Sequence, residues 1–571
     1  DFLLCQTIAA CTGISVVGSA ALGLTPPSAA APPTSARLPD QAGLPGSVIR
    51  DSRAWAGFAN GAQNVSVAPV GTTGPGSIVT PRFVFDGDGG RTFVFYGQAA
   101  LAVADDLIIG VGFETFAAGA APRASTDHGG SDRVPIDDAR PTGADSVIAI
   151  SRLDGSFVWE APIPVALLNS WAAPAIDPHT RTVVAGSGST LSGIHLDTGD
   201  PLWSTDLGRI VVNASPTITD DRPGRTRAFV TDYSFASSVG GRLFCVNLSP
   251  HDGANNPYEP GEIVWSAELG GETSGNTPGY HDGRVYVSTA SGGNASDQGT
   301  ILAYDADATL TPAPLWRYEL DSHSGFFSGV AVYGDGLYAA SYSFSGDQFS
   351  GRTVRVDRHT GDQVWSVGTN RTDTVPVPFG PGLVLVSGGV PFNSQFPAFG
   401  SVPSIQLIME FPWGGATRLW DSAIDTLHDT NSNGQWDPGE SFLSLGGWTI
   451  QPAVIVDGQK AYAYVGVSPD PLGSVDGFFD PSPAMALVDL SKLPDEHGFV
   501  AEWHDGSGSS PALSGGELYT VGFDGVFSFG APAMPVSQIL IRWSSGSLPD
   551  LNADGMVNFR DLMAAMEHAI R

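Results

Sequence analysis

Short runs of alternating apolar and polar residues, each closed by an Asp- and Gly-bearing turn, recur along most of this chain. Residues 193–208, GIHLDTGDPLWSTDLG, show the unit clearly. Ile194 and Leu196 alternate with His195, the period-2 pattern of a half-buried strand. Asp197, Thr198 and Gly199 supply turn chemistry, Asp by bonding its own backbone and Gly by tolerating positive φ. Trp203 then carries a large ring onto the next strand. Variants follow at 147–159, 301–316, 353–365 and 405–420, and longer-looped versions at 242–265 and 484–503. A second pattern, strand–turn–strand without the Trp, begins at 99, 174, 216, 278, 329, 376, 452 and 511.

Joined in tandem, the two patterns give four short antiparallel strands per unit. Such units, repeated every few tens of residues, predict an all-β fold in which each sheet packs its faces on its neighbours: a β-propeller. The second pattern starts eight times, which sets the expectation at eight blades, with seven as the alternative. Trp159, Trp203, Trp265, Trp316, Trp365, Trp420 and Trp503 mark the outer half of seven units and are expected to be packing residues. The eighth unit, ending at 526–530, lacks the Trp, so residues 80–96 are expected to return and complete it, removing exposed sheet edges.

Composition refines this picture. Abundant Gly (72) and Pro (43), without a collagen period, suit many strands joined by turns. The net charge of −32 argues against nucleic acid or an anionic membrane as a partner, because both demand a basic footprint. Cys5 and Cys11 fall in the leading apolar segment, which leaves Cys245, on an alternating strand pattern, as an expected core thiol. Residues 1–33 read as the tail of a secretory signal, 34–79 as a flexible Pro/Gly/Ala-rich lead-in, and 80–530 as the propeller. A linker is expected at 531–549, and no stretch is long enough to span a bilayer. The localisation implied is secreted or extracellular; a lipoprotein-like Ile8-Ala9-Ala10-Cys11 offers the cell-surface alternative.

The theme Ala/Val-x-Asp-x-x-Thr-Gly-x-x-x-Trp, best carried by Asp197 to Trp203 and Asp357 to Trp365, resembles the PQQ-like, quinoprotein-dehydrogenase-type propeller repeat over about 97–530. That resemblance is carried by the repeat and implies the propeller fold. In the catalytic branch it also implies a quinone held against an adjacent-cysteine disulfide, a Ca²⁺-binding carboxylate and a catalytic Asp. This chain has no Cys-Cys pair, which points to the non-catalytic branch of binding and scaffold propellers.

Two stretches carry metal chemistry. Residues 429–440, DTNSNGQWDPGE, place Asp429, Asn431, Asn433, Asp437 and Glu440 at positions 1, 3, 5, 9 and 12, with Gly434 at the sharp turn and the Gln435 carbonyl at 7. This is the EF-hand register, suited to Ca²⁺ because that ion takes six to eight hard oxygens. Residues 550–561, DLNADGMVNFRD, repeat it with Asp550, Asn552, Asp554, Met556 (through its carbonyl), Asn558 and Asp561, then run into a helix-spaced stretch. Loop and helix together resemble one dockerin repeat, where two are usual, which implies a cohesin-like partner for residues 550–571.

Other chemistry is sparse. Asp127-His128, His281-Asp282 and His504-Asp505 are adjacent pairs whose members face opposite ways on a strand. Asn64, Asn213, Asn247, Asn294 and Asn370 head Asn-x-Ser/Thr sequons. The insertions at 115–145, 248–262, 390–403 and 422–448 are expected to set partner choice. The functional expectation is a secreted, Ca²⁺-binding, non-catalytic propeller that binds a protein or polysaccharide and is tethered by its tail. The alternative is an enzyme using the central funnel, either a quinone-dependent oxidoreductase or a polysaccharide-active enzyme.

Overall fold

The strands that build the ring are short, and their central members are apolar on both faces. The computed structural model describes residues 54–68, 74–95, 100–115, 145–164, 172–234, 240–270, 272–291, 298–321, 324–342, 350–380, 382–389, 402–432, 440–457, 460–467, 484–493, 499–506, 508–522 and 524–530. These form eight antiparallel sheets, the blades of a β-propeller. The segments expected to be a signal tail, a linker and a dockerin-like repeat lie outside the described residues.

Blade 3 shows the plan: Thr217–Ile218, Arg227–Thr231, Arg242–Asn247 and Ile263–Glu268 pair in sequence order from the innermost strand outward. Innermost strands of neighbouring blades meet around the axis. Hydrophobic clusters fill the spaces between consecutive blades, so the core is divided among layers between neighbouring sheets. A strand sandwiched between two such layers reads as a continuous apolar run. Asp145–Ser151 is buried at every position but the last, whereas the outer strand Val500–Asp505 alternates strictly. Blade 2 contains three named strands because Thr182–His195 doubles back at Gly188 (φ 60°), and the Leu196 N–H closes its ends on the Arg181 carbonyl at 2.9 Å. The same closing bond recurs from Leu248 to Thr226 and from Ala306 to Gly283.

The ring closes by a strand from the other end of the chain. Phe83–Phe85 pairs with Gly525–Phe529 and becomes the outer strand of blade 8. The expectation that all of 80–96 would complete this blade needs correction. Arg91–Phe95 pairs instead with Leu107–Thr115 of blade 1, because that nine-residue strand outruns its inner partner Ala102–Ala104 and leaves an edge for it. A buried ionic clasp holds the junction of blades 8 and 1. The Glu517 carboxylate, fully buried, takes Arg152 of blade 1 and Arg82 of the returning chain, and Arg152 also donates to the Tyr519 hydroxyl at 3.0 Å.

Packing of the outer strands explains the repeat. Trp159 lies on the Gly199 turn of the next blade and donates its indole N–H to the Leu196 carbonyl at 3.0 Å. Trp203 lies likewise on Gly261, and Trp316 on Gly361. These glycines have φ of 74°, 86° and 81°, so the turn requires Gly twice over, for its backbone and for the ring above it. In blade 8 Phe83 stands where the other blades carry Trp and rests on Gly155. The residue before the Trp is often a bulge, which explains why Val158 and Val364 point outward although apolar. One expectation fails: Trp503 is 40% exposed and bonds the Asp505 carboxylate rather than a neighbouring blade.

The segment expected as a loose lead-in is, at 54–68, built into the middle of the ring. Trp55 pairs with Val103 of blade 1 and Val67 with Val454 of blade 7, both on innermost strands. Trp55 is 1% exposed and Ser66 is fully buried. Residues 74–78 then lead outward, with the Ile78 N–H on the Glu502 carboxylate of blade 7 at 2.6 Å.

Candidate functional site

The loops that join each outer strand to the next inner strand gather at one mouth of the channel. They are tied to one another by the residue that precedes the inner-strand proline. The Ser215 hydroxyl accepts the Ala173 N–H at 2.8 Å, and the Thr277 hydroxyl accepts the Ser215 N–H at 3.0 Å. Gln451 Oε1 accepts the Val375 N–H at 2.8 Å, and the Ser510 hydroxyl accepts the Gln451 N–H at 3.1 Å. Since X-Pro residues are held extended, each side chain is aimed at its neighbouring loop without further help.

Inside this rim lies a small polar cavity lined by Asn213, Asn276, Thr277, Asp373, Thr374 and Gln451, with Phe58 of the channel segment in its wall. Its enclosed space holds roughly one water molecule. Asp373 is the notable group. Its Oδ1 is enclosed and has no hydrogen-bond partner among the described residues, and burial pushes its carboxyl well above the ordinary range. The Asp373 N–H donates to the Trp448 carbonyl at 3.0 Å. Across the cavity, burial and then the Asp373 charge push the Tyr233 hydroxyl up. Tyr342 stacks obliquely on Trp448, with ring centroids 5.2 Å apart, and carries the Arg371 guanidinium on its ring at 5.6 Å. Sequence reading missed this cluster. Asp373 sits in a loop between blades, among Thr and Val, with no motif around it.

Trp448 arrives from the same excursion, between blades 6 and 7, that contains the first calcium loop. Of the six ligands expected there, Asp429, Asn431 and Glu440 are described, while Asn433, Gln435 and Asp437 lie outside the described residues. The Asp429 carboxylate accepts the N–H of Asn431 at 3.2 Å and of Ser432 at 2.5 Å. The N–H and hydroxyl of Thr430 both donate to Glu440 Oε1, each at 2.7 Å, so positions 2 and 12 of the loop touch. The two ends of the described part of the loop thus lie together. All six ligands of the second loop, Asp550, Asn552, Asp554, Met556, Asn558 and Asp561, lie outside the described residues. Among the described residues no three His, Cys, Asp or Glu side chains converge.

The remaining candidates are structural. Cys245 is fully buried and its thiol is pushed up by burial. His281 bonds Gln63 of the channel segment at 2.6 Å, and His504 packs edge-on against Phe527 and Phe529. Burial lowers the pKa of both imidazoles. Asp127-His128 and Asn294 lie outside the described residues. Among the sequons, Asn64, Asn247 and Asn370 are buried, with side-chain amides bonded to backbone carbonyls, which removes them as glycan acceptors in the folded chain.

Eight antiparallel blades, Trp-on-Gly docking between neighbours and closure by the strand Phe83–Phe85 define an eight-bladed β-propeller. The PQQ_2 family, described as outer membrane protein assembly factor BamB, matches residues 256–390. No curated protein matches the sequence. Among solved structures, a europium-containing methanol dehydrogenase is similar at 12% identity and a TM-score of 0.51, covering 92% of this chain and 96% of that one. BamB from Moraxella catarrhalis is similar at 16% identity and a TM-score of 0.38, over 69% of this chain and 94% of that one. Quinohemoprotein alcohol dehydrogenase from Comamonas testosteroni is similar at 11% identity and a TM-score of 0.49, over 86% and 82%. At such identities the likeness extends to the fold. Phe58 of the channel segment lines the cavity at this mouth, and the sequence has no adjacent-cysteine pair.

Proposed function

We propose that this chain is a non-catalytic binding propeller, a calcium-stabilised ring whose loop face engages a protein or polysaccharide outside the cell. The observation that supports the reading is the channel segment: residues 54–68 pair with the innermost strands of blades 1 and 7, and Phe58 lines the polar cavity at the mouth. The family match over residues 256–390, to a group described as an assembly factor, is in keeping with a binding role. In this reading Asp429, Asn431, Asn433, Gln435, Asp437 and Glu440 hold one Ca²⁺, and a second ion orders residues 550–571 as a tether for a cohesin-like partner. Calcium would fix the first loop through oxygen ligands alone and do no redox work there.

The test has two arms. Calorimetric titration of the metal-free protein with Ca²⁺ is expected to give two binding events, one of which is lost in a chain ending at residue 549. Reconstitution with pyrroloquinoline quinone and Ca²⁺, assayed by dye reduction with primary alcohols, is expected to give no turnover. Quinone-dependent turnover abolished by Asp373→Asn would replace this reading with the oxidoreductase one.

A further inference from the structure

Residues 54–68 add no strand to any blade, yet they touch the inner edge of the ring almost all the way around. Innermost strands leave a row of backbone N–H groups facing the channel, and an unpaired edge is a template for another chain. Here five of those donors are taken by one short segment. Val103 of blade 1 donates to the Trp55 carbonyl at 2.8 Å, and Ile176 of blade 2 to Ala56 at 2.8 Å. Tyr280 of blade 4 donates to Ala62 at 2.7 Å, Val332 of blade 5 to Gln63 at 2.8 Å, and Val454 of blade 7 to Ser66 at 2.9 Å. The segment thus visits blades 1, 2, 4, 5 and 7 in ring order. It receives bonds in return, from Trp55 N–H to Val103 and from Ala68 N–H to Val454, each at 2.8 Å. In blade 6 the middle residue of the inner strand is Pro378, which has no N–H to satisfy.

Side chains add selectivity to this backbone ladder. The Asn64 amide donates to the carbonyls of Pro278 at 2.7 Å and Val330 at 3.0 Å, just ahead of the inner strands of blades 4 and 5. Trp55 fills the apolar space beside Val103. Left-handed backbone at Ala59, Asn60, Gly61 and Asn64 bends the segment along the wall, and small residues at Gly57, Ala59 and Ala62 let it lie close. This is recognition by added β-pairing, with pockets for a few side chains, carried out around a ring instead of along one edge.

We propose that the central channel is a binding site for a small-residue peptide that bends along its wall, and that residues 54–68 occupy it as a ligand supplied by the chain itself. The site selects a bulky aromatic at the first position and an amide nine residues later. It shares one observation with the proposed role, the filled channel, but depends neither on calcium nor on any partner at the loop face.

The experiment keeps the protein folded. A protease site is placed between Ala68 and Gly74 and cut after folding. The fragment ending at Ala68 is expected to stay with the ring through gel filtration, and its prompt loss from an intact ring would overturn the proposal. Hydrogen exchange on the uncut Trp55→Ala/Asn64→Ala double variant gives the second reading. Amides of Val103, Ile176, Tyr280, Val332 and Val454 are expected to lose roughly tenfold or more in protection, as local opening of a few bonds predicts. Those of Ile218 and Leu513, at the same inner-strand position but not bonded to the segment, are expected to hold. Equal loss at all seven amides, or none at the five, would refute a discrete peptide site. Two-site calcium binding would be untouched by either result, so failure here is distinguishable from failure of the proposed function.

Discussion

Two glycines of blade 2 allow the Trp-on-Gly contact between blades to be measured. Gly199 and Gly208 both have left-handed backbone, with φ of 74° and 63°. A Cβ at Gly199 would fall 2.8 Å from the Trp159 ring, whereas one at Gly208 would meet nothing within 4 Å. Replacement by Ala imposes the left-handed penalty at both sites, about 1–2 kcal/mol. At Gly199 alone the ring must also be pushed off its seat, and crowding a packed site costs about 1–3 kcal/mol more. Gly208→Ala is therefore expected to lower stability by about 1–2 kcal/mol and Gly199→Ala by about 2–5 kcal/mol. Urea denaturation followed by far-UV circular dichroism reads both. Trp159→Ala supplies the control, since removing the ring should bring the loss from Gly199→Ala down to that from Gly208→Ala. Equal losses at the two glycines, or an excess at Gly199 that persists without the ring, would refute the steric account of the repeat.

Other outcomes follow from the same coordinates. Glu517→Ala leaves Arg152 buried without its counter-ion and is expected to destabilise by about 3–5 kcal/mol, measured by thermal or urea unfolding. The Asp373 carboxyl is raised in the fold, so the native chain keeps its proton to higher pH than the unfolded chain, and stability falls as pH climbs out of the ordinary carboxylate range. Asp373→Asn should accordingly gain about 1–3 kcal/mol at pH 8 and nothing at pH 4; an equal effect at both would show that the proton is not the cause. Glu440→Gln should weaken one calorimetric Ca²⁺ event by about tenfold or more and spare the other, as expected for loss of the loop's last carboxylate. Cys245 should resist alkylation in native protein and react at once in urea, given its burial and raised thiol pKa.

Side-chain pattern carried the blades well and the channel poorly, for a physical reason. Asp197-Thr198-Gly199 and Trp203 are legible because a turn and a ring must recur wherever one sheet docks on the next. Phe83 escaped the pattern because a different ring does the same packing. Residues 54–68 were read as loose because Pro, Gly and Ala suggest a lead-in. Their fixation comes from backbone bonds to strand edges, and main-chain pairing leaves no mark on side-chain periodicity. Asp373 is silent for another reason. Its environment comes from Tyr233, Tyr342 and Trp448, contributed by three other parts of the ring, and no spacing along the chain reveals such convergence. The proposed calcium loop is read from local register alone, and what the structure adds there is that Thr430 bonds Glu440.

The pairing of Phe83–Phe85 with Gly525–Phe529 also sets a timetable. A ribosome delivers Phe83–Phe85 before nearly all of the ring and its partner Gly525–Phe529 after it. Through most of synthesis the nascent chain therefore carries an unsatisfied, aromatic strand whose docking place does not yet exist. Loop closure over this length is slow, and exposed strand edges invite association with other chains. A protein of this design should need shielding until Gly525–Phe529 emerges, and it should fold faster when circularly permuted so that residues 54–85 follow residue 530.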